Sequence, residues 1–160
     1  MTIIYAESPG HIHEARRLFK EYGATLPPEL WFEDFRQEVD GLPGEYGPPF
    51  GRLLLAMAGD GAAVGCVALR RWDAGIGELK RMFVRPAYRG RGIGKQLGLA
   101  VLDEALAMGY ERVRLDTAPT MVEAIRLYER LGFRRIEPYR HYPVADVIFM
   151  EIVLLPSHSP

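Results

Sequence analysis

The sequence predicts an α/β (α+β) domain on a mixed, mostly antiparallel sheet. Short apolar runs of strand length alternate with tight glycine turns, which is the pattern of hairpins. Two stretches late in the chain instead repeat apolar residues every three or four positions, so two connections pass through a helix, which implies a parallel strand pair. At 160 residues and 48% hydrophobic content, the chain can build one domain with a substantial core.

Ile3 to Ala6 has strand character. Ser8-Pro9 supplies an N-cap and a proline for the first helical position. Ile12, Ala15, Leu18, Phe19 and Tyr22 then recur at helical spacing until Gly23. Pro27-Pro28 bars continuation, and Glu29 to Val39 reads as a second helix bearing Leu30, Trp31, Phe32 and Phe35. Gly41 to Gly51 holds four Gly and three Pro in eleven positions, too many for regular structure. Leu53 to Ala58 is a continuous apolar run, as in a strand buried on both faces. Gly59-Asp60-Gly61 returns the chain into Ala63 to Leu69, and a turn at 72–77 leads into Glu78 to Val84, which Pro86 stops.

Ile93, Leu97, Val101 and Met108 mark one face of the next helix, and Gly94, Gly98 and Ala105 beside them allow it to lie close to a sheet. Val113 to Leu115 is strand-like. Thr120-x-x-Glu123 reads as a capping box opening a helix with Ala124, Leu127, Tyr128 and Leu131, which Gly132 closes. Phe133 to Glu137 and Val144 to Leu154 are the last strands. Residues 1–155 are expected to form the domain and 156–160 a loose tail.

Composition excludes several classes. A net charge of −1 gives no general attraction to nucleic acid or membrane. One cysteine, Cys66, rules out an intrachain disulfide and a multi-cysteine zinc site. His11, His13, His141 and His158 have no ligand spacing, so no metal is expected. No apolar run approaches the roughly 18 residues of a membrane span, and the N-terminus lacks a signal-peptide pattern, so a cytoplasmic location is expected.

Chemistry concentrates at Arg89-Gly90-Arg91-Gly92-Ile93-Gly94, where a strand hands over to a helix. A helix N-terminus presents unpaired N–H groups and positive dipole ends, and glycines let successive N–H groups curl around one anion. Lys80, Arg81, Arg85, Arg89, Arg91 and Lys95 cluster here, with no acid between Leu79 and Leu102. A nucleotide-hydrolysing loop would need glycine where Arg89 stands and Ser or Thr where Gln96 stands. A dinucleotide fingerprint from Gly90 would need a third glycine at position 95, which is Lys95. The patch adjoins glycines rather than aromatics, unlike a single-strand nucleic-acid platform.

The strand Glu78 to Val84 followed by Arg89-x-x-Gly92-x-Gly94 resembles the central motif of the GNAT superfamily of N-acetyltransferases. Ala124-Ile125-Arg126-Leu127-Tyr128-Glu129-Arg130-Leu131-Gly132-Phe133 resembles that family's second signature, and the element order matches along nearly the whole chain. The resemblance implies a six- to seven-stranded sheet with helices on both faces and a splayed parallel pair. It implies acetyl-coenzyme A as co-substrate, with the pyrophosphate on Arg89, Gly90, Arg91, Gly92, Ile93, Gly94 and nearby Lys95. The pantetheine arm would pair with Met82, Phe83 and Val84 as an added strand. Tyr128 would be the general acid toward the sulfur, although its spacing also suits a core tyrosine. Glu78 could be a general base, and it equally suits a solvated strand-end acid. Met121 stands where many relatives carry asparagine. A homodimer is expected by the same resemblance.

The acceptor is expected to be a primary amine of a small molecule or peptide, attacked directly onto the thioester. Between Glu29 and Glu45 lie six acids and one base, Arg36, with Trp31, Phe32, Phe35, Tyr46 and Phe50 in or near the segment. Such a wall would favour a cationic amine or a lysine-like side chain, although the acids equally suit a solvated helix face and the aromatics a core. A non-catalytic coenzyme A-binding module is the alternative reading; it would need the glycine turn but no proton donor.

Overall fold

The computed structural model describes residues 1–26, 33–142 and 146–154. The order is β1 (Thr2–Tyr5), α1 (Pro9–Ala24), α2 (Glu33–Asp40), β2 (Arg52–Met57), β3 (Ala63–Asp73), β4 (Ile76–Val84), α3 (Ile93–Ala107), β5 (Arg112–Thr117), α4 (Val122–Leu131), β6 (Arg134–Ile136) and β7 (Ile148–Val153). This is the predicted succession. The expected tail at 156–160, the start of the expected last strand at 144–145, and Leu30, Trp31 and Phe32 lie outside the described residues.

Ser8 caps α1 by accepting the His11 N–H at 3.2 Å, and Pro9 takes the first turn. The capping box expected before α4 does not form: Met121 occupies the cap position and makes no side-chain cap bond. β3 and β4 reach further toward each other than their apolar runs suggest, leaving a turn of only Ala74 and Gly75. Strand pairing of Arg71 with Gly77 and Asp73 with Ile76 draws in positions that hydrophobicity alone assigns to the turn.

Seven strands form one sheet in the order β1-β2-β3-β4-β5-β7-β6, antiparallel except for β4 and β5. α3 and α4 cover one face, burying Leu97, Val101 and Tyr128 against Val67, Leu79, Val113 and Leu115. α1 and α2 cover the other, burying Leu18, Phe19, Phe35 and Val39 against Leu53, Leu55, Cys66 and Phe83. Gly94 and Gly98 serve a contact different from the one expected. A Cβ on Gly98 would lie 2.5 Å from Leu131 Cδ1, and one on Gly94 3.2 Å from Leu127 Cδ2, so they admit α4 rather than the sheet. Gly65 on β3 provides the room for α3, since its Cβ would stand 3.1 Å from Leu97.

The sheet's irregularity sits in β4. Cys66 faces Phe83 and Ala68 faces Lys80, so three steps on β4 match two on β3, the signature of a bulge. Arg81 takes up the extra residue with φ +59°, in the left-handed region. The Cys66 thiol donates to the Arg81 carbonyl at 3.3 Å.

Candidate active site

Two features of β4 build the site. β4 and β5 pair only at Ile76–Arg112, Gly77–Val113 and Glu78–Arg114. Past that rung both strands continue, β4 to Val84 and β5 to Thr117, without pairing to each other. Met82, Phe83 and Val84 therefore follow the bulge on a stretch paired only to β3. Main-chain groups on such an open edge can take an extended chain as an added strand.

The second feature is the turn beyond β4. A short 3-10 turn, Pro86–Tyr88, leads into Gly90 at φ +81° and Gly92 at φ +78°. A Cβ on either glycine would meet nothing within 4 Å, so glycine is needed here for backbone conformation and not for space. Gly92 caps α3, and its carbonyl accepts the Gln96 N–H at 3.0 Å. The N–H groups of residues 93 to 95 then have no carbonyl one helical turn behind them, and they mark the positive end of the helix. Arg89 is tied back to the strand by a 2.9 Å bond from Nε to the Val84 carbonyl. Arg91 lies 5.1 Å over the Tyr88 ring, beside a groove that Val64, Ile93 and Gln96 also line. The turn thus has the backbone features that suit an anion, and it follows the stretch of β4 left unpaired to β5.

The basic run does not stay together. Arg81 is drawn under α2, where Glu38 binds it at 2.7 and 2.9 Å. Arg85 pairs with Glu21 of α1 at 2.7 Å and with the Ala63 carbonyl. Lys80 is 8% exposed. Arg89, Arg91 and Lys95 remain exposed at the turn.

Glu78 is fully buried on the α1/α2 face of β4. Arg70 Nε donates to one carboxylate oxygen at 2.8 Å, and Tyr139 OH and Arg140 Nη2 to the other at 2.7 and 2.6 Å. Burial alone would raise its pKa, but Lys80, Arg70, the Tyr139 hydrogen bond and Arg140 outweigh burial and hold the carboxyl below its ordinary value. Arg140 is itself gripped by aromatic rings, 4.4 Å over Trp72 and 5.5 Å over Tyr139. The carboxylate thus fastens the segment after β6 to the centre of the sheet.

Tyr128 is buried under α4, edge-on to Phe133 at 5.7 Å. Its hydroxyl makes no hydrogen bond among the described residues. Burial raises its pKa, with Tyr22 and Asp116 adding to the effect, so the phenol keeps its proton at neutral pH.

Part of the acidic, aromatic wall expected ahead of β2 is spent on structure. Phe35 and Tyr46 are core residues. Glu38 is locked to Arg81, and Glu45 pairs with Arg70 at 2.8 Å. Phe50 is exposed, with Arg71 5.3 Å over its ring at the far end of β3. Trp31 and Phe32 lie outside the described residues.

Sequence reasoning missed Arg70, Asp116, Tyr139, Arg140 and Tyr142, which join Glu78 and Lys80 around the opening. Tyr139 and Arg140 meet Glu78 from about sixty positions away, and no local pattern announces that. Asp116 had a faint signal: Arg112, Arg114 and Asp116 alternate with Val113, Leu115 and Thr117, which puts them on one strand face.

Residues 12–133 match the Acetyltransferase (GNAT) family. An uncharacterised N-acetyltransferase of Schizosaccharomyces pombe is 33% identical over 153 residues, 95% of this chain and 94% of that protein. The N-acetylaspartate synthetase of Danio rerio is 39% identical over 106 residues, 66% of this chain and 38% of that longer protein. A Salmonella typhimurium acetyltransferase solved with its cofactor acetyl-CoA superposes with a TM-score of 0.74 at 20% identity, covering all of this chain and 97% of that one.

Proposed function

The chain belongs to the acetyltransferase (GNAT) family, and from that premise we propose that it moves an acetyl group from acetyl-coenzyme A to a primary amine of a small molecule or peptide by direct attack on the thioester. The observation that carries this reading is the left-handed glycine turn at the head of α3, set directly after a strand whose edge is open beyond Glu78. The N–H groups and side chains of Arg89 to Lys95 would hold the pyrophosphate, and the edge at Met82 to Val84 the pantetheine amides. The coenzyme supplies an activated acyl carbon and a thiolate leaving group.

Tyr128 gives the thiolate its proton: the phenol is protonated at neutral pH, and no protein acceptor among the described residues holds its hydrogen. Glu78 serves as an anchor. Its carboxylate is committed to three donors and is a weaker base than an ordinary glutamate, whereas a base working near neutrality needs the opposite shift.

The test is thiol release from acetyl-coenzyme A with glycine, L-aspartate, L-lysine, spermidine and a tetrapeptide as acceptors. Carboxylated amines belong in the panel because an N-acetylaspartate synthetase is among the relatives and two acids of the expected cationic site, Glu38 and Glu45, are paired with arginines. Tyr128→Phe should lower kcat by about 10²-fold and leave coenzyme binding intact. Tight coenzyme binding with no turnover on any amine would establish the binding-module reading instead.

A further inference from the structure

The β4–β5 ladder ends at Glu78–Arg114. On the same strand face the next rung would join Lys80 and Asp116, two residues further along each strand, and here the backbones have parted. Only the side chains reach across, with Lys80 Nζ 3.9 Å from Asp116 Oδ2, beyond hydrogen-bonding distance. The pair spans the throat of the opening on the α1/α2 side, opposite the layer of α3 and α4 that leads in from the glycine turn.

The neighbouring carboxylates are committed. Glu78 accepts three hydrogen bonds, Glu38 grips Arg81 through both oxygens, and Glu151 binds Arg112 and Arg114. Asp116 differs. Its Oδ2 accepts one hydrogen bond, from Tyr142 OH at 2.9 Å, and its Oδ1 accepts none from a described residue. Its side chain is 16% exposed, enough to meet a small group entering the throat. Its charge acts to raise the pKa of Tyr22 on α1 and of Tyr128 on α4 alike.

We propose that Asp116 is the catalytic carboxylate that receives the acceptor amine and takes its proton, with Lys80 as a positioning cation beside it. This deepens the acetyl-transfer reading and rests on it. Asp116 Oδ1 accepts an N–H of the amine and turns the nitrogen lone pair toward the open edge of β4. The Lys80 charge opposes a second cation at that spot and so favours the neutral amine. Burial, opposed by Asp116, lowers the pKa of Lys80 itself, which marks the throat as poorly solvated. As the N–C bond forms and the C–S bond breaks, Asp116 takes the proton that the nitrogen loses and Tyr128 yields its own to the sulfur. Proton return from Asp116 to the Tyr128 phenolate restores the chain, and the products are an amide and a thiol.

The experiment uses the acceptor of the panel above that the wild-type chain acetylates fastest. Asp116→Asn keeps an oxygen for Tyr142 and should lower kcat/KM for that amine by about 10²–10³-fold, with the acetyl-coenzyme A dissociation constant unchanged and the chain still folded at the assay temperature. Asp116→Ala should fall as far and recover part of its rate with added formate, which a structural role would not provide. Loss of less than threefold in Asp116→Asn, or an Asp116→Ala defect indifferent to formate, overturns the assignment. A wild-type chain that binds the coenzyme but acetylates no amine of the panel overturns the transfer reading itself, a different result from a wild-type chain that works and an Asp116 variant that works equally well.

Discussion

Glu78→Gln tests whether the central carboxylate holds the structure together or handles a proton. The change keeps the side chain's shape and removes one charge from between Arg70 and Arg140. Breaking a buried ion pair from one side costs about 3–5 kcal/mol. Two features reduce that here: the Arg70 and Arg140 side chains keep about a fifth of their surface in water, and Arg70 retains Glu45 at 2.8 Å. The expected loss at pH 7 is therefore about 2–3 kcal/mol, or roughly 5–10 °C in Tm for a chain of this length. The pH dependence has a definite sign. The folded-state pKa of Glu78 lies below its ordinary value of 4.5, so the stabilisation is complete above that value and is lost as pH falls through the folded pKa. Urea titrations between pH 3 and pH 8 should show a wide wild-type-to-variant gap above about pH 5 that narrows in acid. A gap under about 0.5 kcal/mol at pH 7, or one that does not narrow, would refute the anchor. Loss of the acid limb of the kcat profile with stability intact would make Glu78 the base after all.

Two further outcomes concern the coenzyme side. Gly92→Ala forces a side chain to φ +78°, at a cost of about 1 kcal/mol or more, and should weaken coenzyme binding by tenfold or more in calorimetry while sparing the sheet. Met121→Asn supplies the missing cap of α4 and should raise stability by about 0.5–1 kcal/mol in urea unfolding, with a lower KM for acetyl-coenzyme A.

The fold was largely legible because its signals are local. Hairpin turns, the Ser8-Pro9 start, the apolar faces of α1, α3 and α4 and the Gly92 and Gly132 boundaries all follow from residues within a few positions of one another. The cofactor side of the site was legible for the same reason, since a strand, a turn and a helix start form one continuous segment. The acceptor side was not. It is assembled from β3, β4, β5 and the segment after β6, and its contacts depend on strand register. Register also decided the acidic stretch ahead of β2: its charges suggested a surface for cations, but Glu38 and Glu45 end beside arginines of β4 and β3. The run from Lys80 to Lys95 misled in the same way. Strand alternation and the bulge send Lys80 and Arg81 to one side of the sheet, while Arg89, Arg91 and Lys95 stay at the turn.

That bulge is the device that separates the two sides, and Arg81 is where it can be tested. A non-glycine residue at φ +59° is strained by about 1–2 kcal/mol. The strain is offset by the two-pronged bond to Glu38 and by the rings of Phe35 and Tyr22, 4.8 and 5.9 Å from the guanidinium. Arg81→Ala removes those partners, leaves Glu38 without its cation and keeps the strain, so it should cost about 2–4 kcal/mol. Arg81→Gly loses the same partners but adopts the left-handed conformation freely, and should be more stable than Arg81→Ala by roughly 0.5–1 kcal/mol. Glycine in an ordinary strand would be the less stable of the two by a similar amount, so the order of the two variants in urea reports the backbone conformation rather than the lost ion pair. If Arg81→Ala is the more stable, the strand is regular at this point, and the parting of β4 from β5 beyond Glu78 must have another cause.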